Sequence, residues 1–302
     1  MSLSFFIPFI LVSATSFVFA ANNIGMIKTS FQSVAGRAQW LYLLLSIAGL
    51  VLGFVVEGYK LSGLASGDVV NLRPYEAEVA MFTVLLVMSV FTFLRLPASL
   101  SNVVLGAILG PAMALGISYD VHKVLYVIAA WLFAPLTSGL LAILLYSAYR
   151  KIVSRMALTS VSIFNRVSAL AITLLSSYTL SANNLGLLLG FPGSGLLIII
   201  VPAVLGVLLL SNAVVSTLGW RMAMLSQTGY LAALVSGSFT LWLYTQFSIP
   251  ASLTQTVVSG MMALSIYSKP SIVNYRTMFE LVGSWPFFLF LSLIVAYSIS
   301  LI

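Results

Sequence analysis

About ten predominantly apolar stretches, each roughly 17 to 25 residues long, run through this chain, and each is long enough to cross the hydrocarbon of a bilayer as a helix. In the first half they are Leu3 to Ala20, Trp40 to Val56, Val79 to Leu94, Val103 to Ile117 and Leu125 to Tyr146. The second half gives Val161 to Leu180, Leu196 to Val215, Gly229 to Phe247, Pro250 to Tyr267 and Met278 to Ile302. Lipid offers no partner to a bare backbone group, so such segments must satisfy their own N–H and C=O groups as helices. Only 6% of residues are charged, against about a quarter in soluble domains, so a water-facing surface cannot be built. The expected fold class is all-α integral membrane.

Charges between the stretches set a direction. With both termini outside, Lys28, Arg37, Arg95, Arg150, Lys151, Arg155, Arg221, Lys269 and Arg276 fall on the cytoplasmic side of a plasma membrane. Lys60, Arg73 and Lys123 then lie outside, and Arg166 lies within a span. Topology thus accounts for the net charge of +7, and no nucleic-acid partner is needed. The absence of cysteine excludes disulfides, thiolate nucleophiles and Cys-ligated metals. His122, between Val121 and Lys123, reads as an interfacial side chain. Val18 to Ala21 resembles a signal-peptidase site, but no Lys or Arg precedes it, so the segment is read as a mature first helix.

The chain repeats itself. Ala-Asn-Asn-Ile-Gly at Ala21 to Gly25 recurs as Ala-Asn-Asn-Leu-Gly at Ala182 to Gly186. Pro-Ala-Ser-Leu-Ser-Asn at Pro97 to Asn102 recurs as Pro-Ala-Ser-Leu-Thr-Gln at Pro250 to Gln255, and Trp131 and Trp285 are expected to begin the closing helices. Residues 1–155 and 156–302 are read as two membrane repeats of about five spans each. An odd number of spans makes the second inverted relative to the first, as in transporters whose site lies at the midplane between interrupted helices.

Amides are costly in hydrocarbon, so Asn22, Asn23, Asn183 and Asn184 should face a cavity or a partner helix. Gly186, Gly190, Pro192, Gly193 and Gly195 should interrupt the helix that follows the second pair, and a half-helix N-terminus is a ready anion site. Proline at a helix start places Ser99, Ser101 and Asn102, and likewise Ser252, Thr254 and Gln255, in a first turn where they cap the helix or point donors into a cavity. Gly106, Ala107 and Gly110 suit close helix packing.

These motifs resemble the inorganic phosphate transporter (PiT) family, whose halves each carry a Gly/Ser-Ala-Asn-Asp motif and a Pro-x-Ser-Thr-Thr-His motif followed by spaced glycines. Asn22, Ser181, Asn183, Gly190, Pro97, Ser99, Gly106, Gly110, Pro250 and Ser252 fall on family positions, as does Thr217-Leu218-Gly219. The chain departs from the pattern where the motif aspartates become Asn23 and Asn184, the histidines become Asn102 and Gln255, and the second motif asparagines become Met26 and Leu187. The resemblance implies a secondary transporter of a small inorganic oxyanion. The lost aspartates put sodium coupling in doubt, because a hard cation wants anionic oxygen ligands. A lining of donors alone leans towards sulfate over phosphate, as in a sulfate-permease-like branch.

Lys28 and Arg166 are the cations that could balance an anion, and Glu57 and Glu280, near span ends, are the carboxylates that could carry a coupling proton. The expected partners are the oxyanion and the bilayer, with proton or sodium coupling open and a homodimer compatible with the pattern. No cofactor is implied. A channel or carrier for another small solute is the alternative, whereas a membrane enzyme lacks the paired carboxylates or metal-ligand cluster its chemistry needs.

Overall fold

The computed structural model describes residues 6–35, 39–94, 96, 98–210, 225–268 and 275–302. Arg37, Arg95, Pro97, Thr217 to Gly219, Arg221 and Lys269 lie outside the described residues, as do the side chains of Met26 and Lys28. The fold is an all-α membrane fold. Its helices are α1 (Ile7–Ala35), α2 (Gln39–Glu57), α3 (Pro74–Phe93), α4 (Leu100–Ala114), α5 (Val121–Val153), α6 (Leu158–Asn183), α7 (Leu196–Leu210), α8 (Gln227–Gln246), α9 (Leu253–Ser268) and α10 (Tyr275–Ser300). Short 3-10 segments, Gly58–Leu61 and Leu185–Gly190, follow α2 and α6.

Two pairs of these helices are hairpins. Val70 bridges Tyr119, and the Asp120 N–H donates to the Val69 carbonyl at 2.8 Å, so the chain reaches α3 and leaves α4 on one face. The connection between them, which includes Leu96, Ala98 and Ser99, lies at the other end of the two helices. In the second half α8 and α9 run antiparallel, with the Thr256 hydroxyl donating to the Gly237 carbonyl at 3.1 Å. Sequence reading left open whether the Pro-Ala-Ser-Leu segments cross fully; they begin the returning limbs of the two hairpins.

The halves do not stand apart. Helix α2 packs on α6, α1 on α7, α4 on α10 and α5 on α9, so each half supplies partners to the other. Small residues permit the closest of these contacts. A Cβ at Gly106 would strike the Leu289 carbonyl and the Ser292 hydroxyl, and one at Gly110 would meet Ala296 at 2.6 Å, so both glycines let α4 lie directly on the α10 backbone.

One expectation is met and one changes. Helix α1 runs unbroken through Asn22, Asn23 and Gly25 to Ala35, whereas α6 ends at Asn183 and gives way to a 3-10 segment. One glycine followed by helix-compatible residues does not stop a helix; Gly186, Gly190, Pro192 and Gly193 together do. Trp131 and Trp285 do not begin α5 and α10 but lie about three turns inside them.

Candidate functional site

The hairpin tips are held by asparagine. A tip outside any helix leaves its backbone groups without ladder partners, and burial makes each unpaired group expensive. Asn22, 1% exposed in the middle of α1, meets that need. Its amide donates to the Thr92 hydroxyl and the Leu96 carbonyl, both at 3.0 Å, and its side-chain oxygen accepts from the Ala98 N–H at 3.1 Å. Both donors of the amide are thereby used.

Asn183 does the same in the second half, fully buried at the end of α6. It donates to the Thr245 hydroxyl at 2.9 Å and the Ile249 carbonyl at 3.0 Å, and accepts from the Ala251 N–H at 2.9 Å. Thr92 and Thr245 each pass their own proton to the carbonyl four residues back, Met88 at 2.7 Å and Leu241 at 2.8 Å. Partner for partner, the two clasps match.

Beyond each tip a helix begins deep in the protein. Ser99 precedes α4 with extended backbone but does not cap it; its hydroxyl donates to Asn102 Oδ1 at 2.7 Å, and Ser101 lies 3.2 Å from Ser99. Asn102 Nδ2 donates to the Trp285 carbonyl at 2.8 Å. At α9, Ser252 Oγ accepts a long 3.4 Å bond from the Gln255 N–H, and Thr254 Oγ1 donates to Asn23 Oδ1 at 3.4 Å. That last contact joins the first asparagine pair to the second Pro-Ala-Ser-Leu segment, and Asn23 Nδ2 turns back to the Phe19 carbonyl at 3.2 Å.

The ten polar residues of the repeated Asn-Asn and Pro-Ala-Ser-Leu segments, Asn184 among them, are all buried, and none carries a charge. Asn184 Nδ2 is a buried donor without a partner among the described residues. Asn102 and Gln255 also border a cavity of about 770 Å³ between α5, α9 and α10, whose other walls include Trp131, Trp285, Ser259 and Met262. Trp131 Nε1 donates to the Pro250 carbonyl at 2.9 Å. Uncharged donors and two helix N-termini, sharing one buried region, can exchange hydrogen bonds with an anion's oxygens but cannot neutralise it.

Arg166 stands apart, exposed on α6. Glu280 is also exposed, paired with Arg276 at 2.9 Å. Sequence reading did not single out the partner threonines, although Thr92 and Thr245 each precede the motif proline by the same spacing, Thr-Phe-Leu-Arg-Leu-Pro and Thr-Gln-Phe-Ser-Ile-Pro. It also missed that Glu57 is tied to the second hairpin: Gln246 Nε2 and Lys60 Nζ both donate to Glu57 Oε1 at 3.0 Å, and Lys60 Nζ donates to Gln246 Oε1 at 2.7 Å. No local pattern could show that contact, because Gln246 lies in the other half.

No family model matches the chain. A curated protein of Methanocaldococcus jannaschii named "Putative phosphate permease" is 26% identical over 293 residues, which cover 94% of this chain and 93% of that protein. A solved structure titled "The sodium-dependent phosphate transporter" matches with a TM-score of 0.78 at 17% identity, over the full length of both chains. That second likeness is one of fold.

Proposed function

We propose, on the premise that this chain resembles phosphate transporters over 94% of its length in sequence and over all of it in fold, that it is a secondary permease for inorganic phosphate. The observation that carries the reading is the matched pair of clasps, Asn22 on the first tip and Asn183 on the second. Asn22 lies within the apolar stretch Ile7–Gly25 that is long enough to span a membrane, so a tip tied to it stays within the bilayer and the hairpin is re-entrant. Residues 1–155 and 156–302 act as two inverted repeats. Alternating access follows if the packed pairs α4–α10 and α5–α9 rock against the rest and open the tips to each face in turn.

In this reading Asn22 and Asn183 position the tips rather than touch substrate, since their amides are already engaged. Contact falls to the first turns of α4 and α9, with Ser101, Asn102, Thr254 and Gln255, and to Asn184. Sulfate is the competing oxyanion, because every side chain of this set is neutral and able to donate. The positive-inside rule, applied to Arg150, Lys151 and Arg155 at the α5–α6 connection, supports a cytoplasmic side there and both termini outside.

The test is uptake by purified protein in liposomes, with labelled phosphate and labelled sulfate, under imposed sodium or proton gradients. Saturable phosphate accumulation driven by one gradient is expected, and sulfate should compete. Failure to take up either anion under any gradient removes the reading.

A further inference from the structure

Among the described residues Lys60 stands out: every other described lysine or arginine is exposed, whereas the Lys60 side chain is only 21% exposed. It sits on the 3-10 segment Gly58–Leu61, pressed against the broken stretch Leu185–Gly190 of the other half. A Cβ at Gly186 would run into the Gly58 carbonyl, and one at Gly190 into the Ser62 carbonyl, so the backbones on either side of Lys60 touch those two glycines. The ammonium is tied to Glu57 at 3.0 Å and to Gln246 at 2.7 Å. Gln246 directly follows Thr245, which receives the Asn183 amide, so this ion pair borders the second clasp.

The Lys60 and Gln246 donors to the carboxylate converge on one oxygen, with the Tyr178 phenol beside it. Glu57 Oε1 accepts from both Lys60 and Gln246, while Oε2 is buried without a partner. The groups facing Glu57 are Lys60 on its own connection, Gln246 on α8 and the Tyr178 phenol on α6. The packed segment Leu185–Gly190 carries no titratable group. Nearby Asp68 is exposed and faces Lys123 at 3.9 Å, outside this cluster.

We propose that Glu57 and Lys60 form a proton-gated anion switch for the transporter described above, on whose oxyanion reading this inference rests. With Glu57 ionised the pair is neutral and Lys60 is occupied. A proton taken up on the carboxylate cancels its charge and releases the ammonium, which keeps its own proton. The freed cation is partly desolvated beside the second tip, where an oxyanion is the group that can satisfy it. One proton entering therefore matches one negative charge on the anion, while the Lys60–Gln246 bond at 2.7 Å, which does not depend on the carboxylate's charge, keeps the ammonium beside α8. The switch couples anion to proton without a metal ion among its parts.

Phosphate binding to the detergent-purified protein, in weakly buffered solution with a pH indicator, reads the switch directly. The wild type is expected to take up about one more proton per bound anion than Glu57→Gln, the protonation of phosphate itself cancelling in the comparison. In liposomes Glu57→Gln should lose stimulation by an inward proton gradient while still exchanging labelled for unlabelled phosphate. Lys60→Met should bind phosphate at least about tenfold more weakly, with Lys60→Arg restoring most of the affinity. Because Lys60→Met strands Glu57 and can fail to fold, Glu57→Gln/Lys60→Met, which removes both charges, serves as the folded control and should bind as weakly. Proton-driven uptake by Glu57→Gln equal to wild type, or wild-type phosphate affinity in the double variant, overturns the switch while leaving phosphate transport standing. A wild-type protein that transports neither anion overturns the transport reading itself.

Discussion

The side-chain oxygen of Asn183 takes the backbone N–H of Ala251 at 2.9 Å, as that of Asn22 takes Ala98 at 3.1 Å. Each bond fixes the residue just before a motif serine, Ser252 or Ser99, and so sets where the next helix begins. The asparagines are buried polar groups whose value lies in what they hold in place.

Asn183→Ala leaves the Ile249 carbonyl and the Ala251 N–H buried without partners, and should cost about 3 kcal/mol of stability. Asn183→Asp should cost at least as much, because a carboxylate keeps the acceptor but loses both donations and faces the Ile249 carbonyl. Thermal unfolding in detergent measures both effects, and phosphate uptake should fall at least about tenfold. An alanine variant as stable as wild type would mean the tip does not depend on this clasp.

Gly106→Ala drives a methyl into the Leu289 carbonyl and the Ser292 hydroxyl, and should destabilise by about 1 to 3 kcal/mol. Gly283→Ala, on α10 with open space around the added carbon, should be neutral or stabilising by up to about 1 kcal/mol through helix propensity. Unfolding temperatures of the two variants should therefore move in opposite directions or only the first should fall. Equal effects would argue that α4 and α10 are not in direct contact.

How far these features were legible depends on whether their cause was local. The Asn-Asn-x-Gly and Pro-Ala-Ser-Leu segments announced themselves, since polar residues inside apolar stretches need partners and proline starts helices. The glycine-rich run after Asn184 correctly forecast a broken helix, while the lone Gly25 leaves α1 continuous, because one weak residue is outvoted by a helix whose bonds are cooperative. Which groups the asparagines would engage was not legible, although the matched threonines offered a clue in their spacing. Arg166 does lie on a helix long and apolar enough to span a membrane, but on its exposed side, since position along a helix does not reveal which side faces the core.

Trp131→Phe removes the indole N–H that reaches the Pro250 carbonyl, in a buried setting, and should lower stability by about 1 kcal/mol. Trp285→Phe leaves its bond with Asn102 intact, because that bond uses the Trp285 backbone carbonyl. Of two tryptophans at matching places in the sequence, only the first should matter for hydrogen bonding at a tip. Comparing phosphate uptake by the two variants separates them, and equal losses would assign both to packing around the cavity.

Asn184 offers the sharpest separation of binding from folding. Its Nδ2 is buried and lacks a partner, so in the free protein it is a liability. Asn184→Leu keeps the approximate volume, removes the unsatisfied donor, and should raise stability by about 1 kcal/mol when no phosphate is present. Saturating phosphate should stabilise the wild type by about 2.7 kcal/mol at a concentration of about 100 Kd, because ligand binds the folded state alone. If Asn184 donates to the bound anion, the variant binds more weakly and gains less at the same phosphate concentration, so the order of unfolding temperatures narrows or reverses as phosphate is added. Identical phosphate-induced shifts in the two proteins would remove Asn184 from the site and leave its orphaned amide without a functional reason.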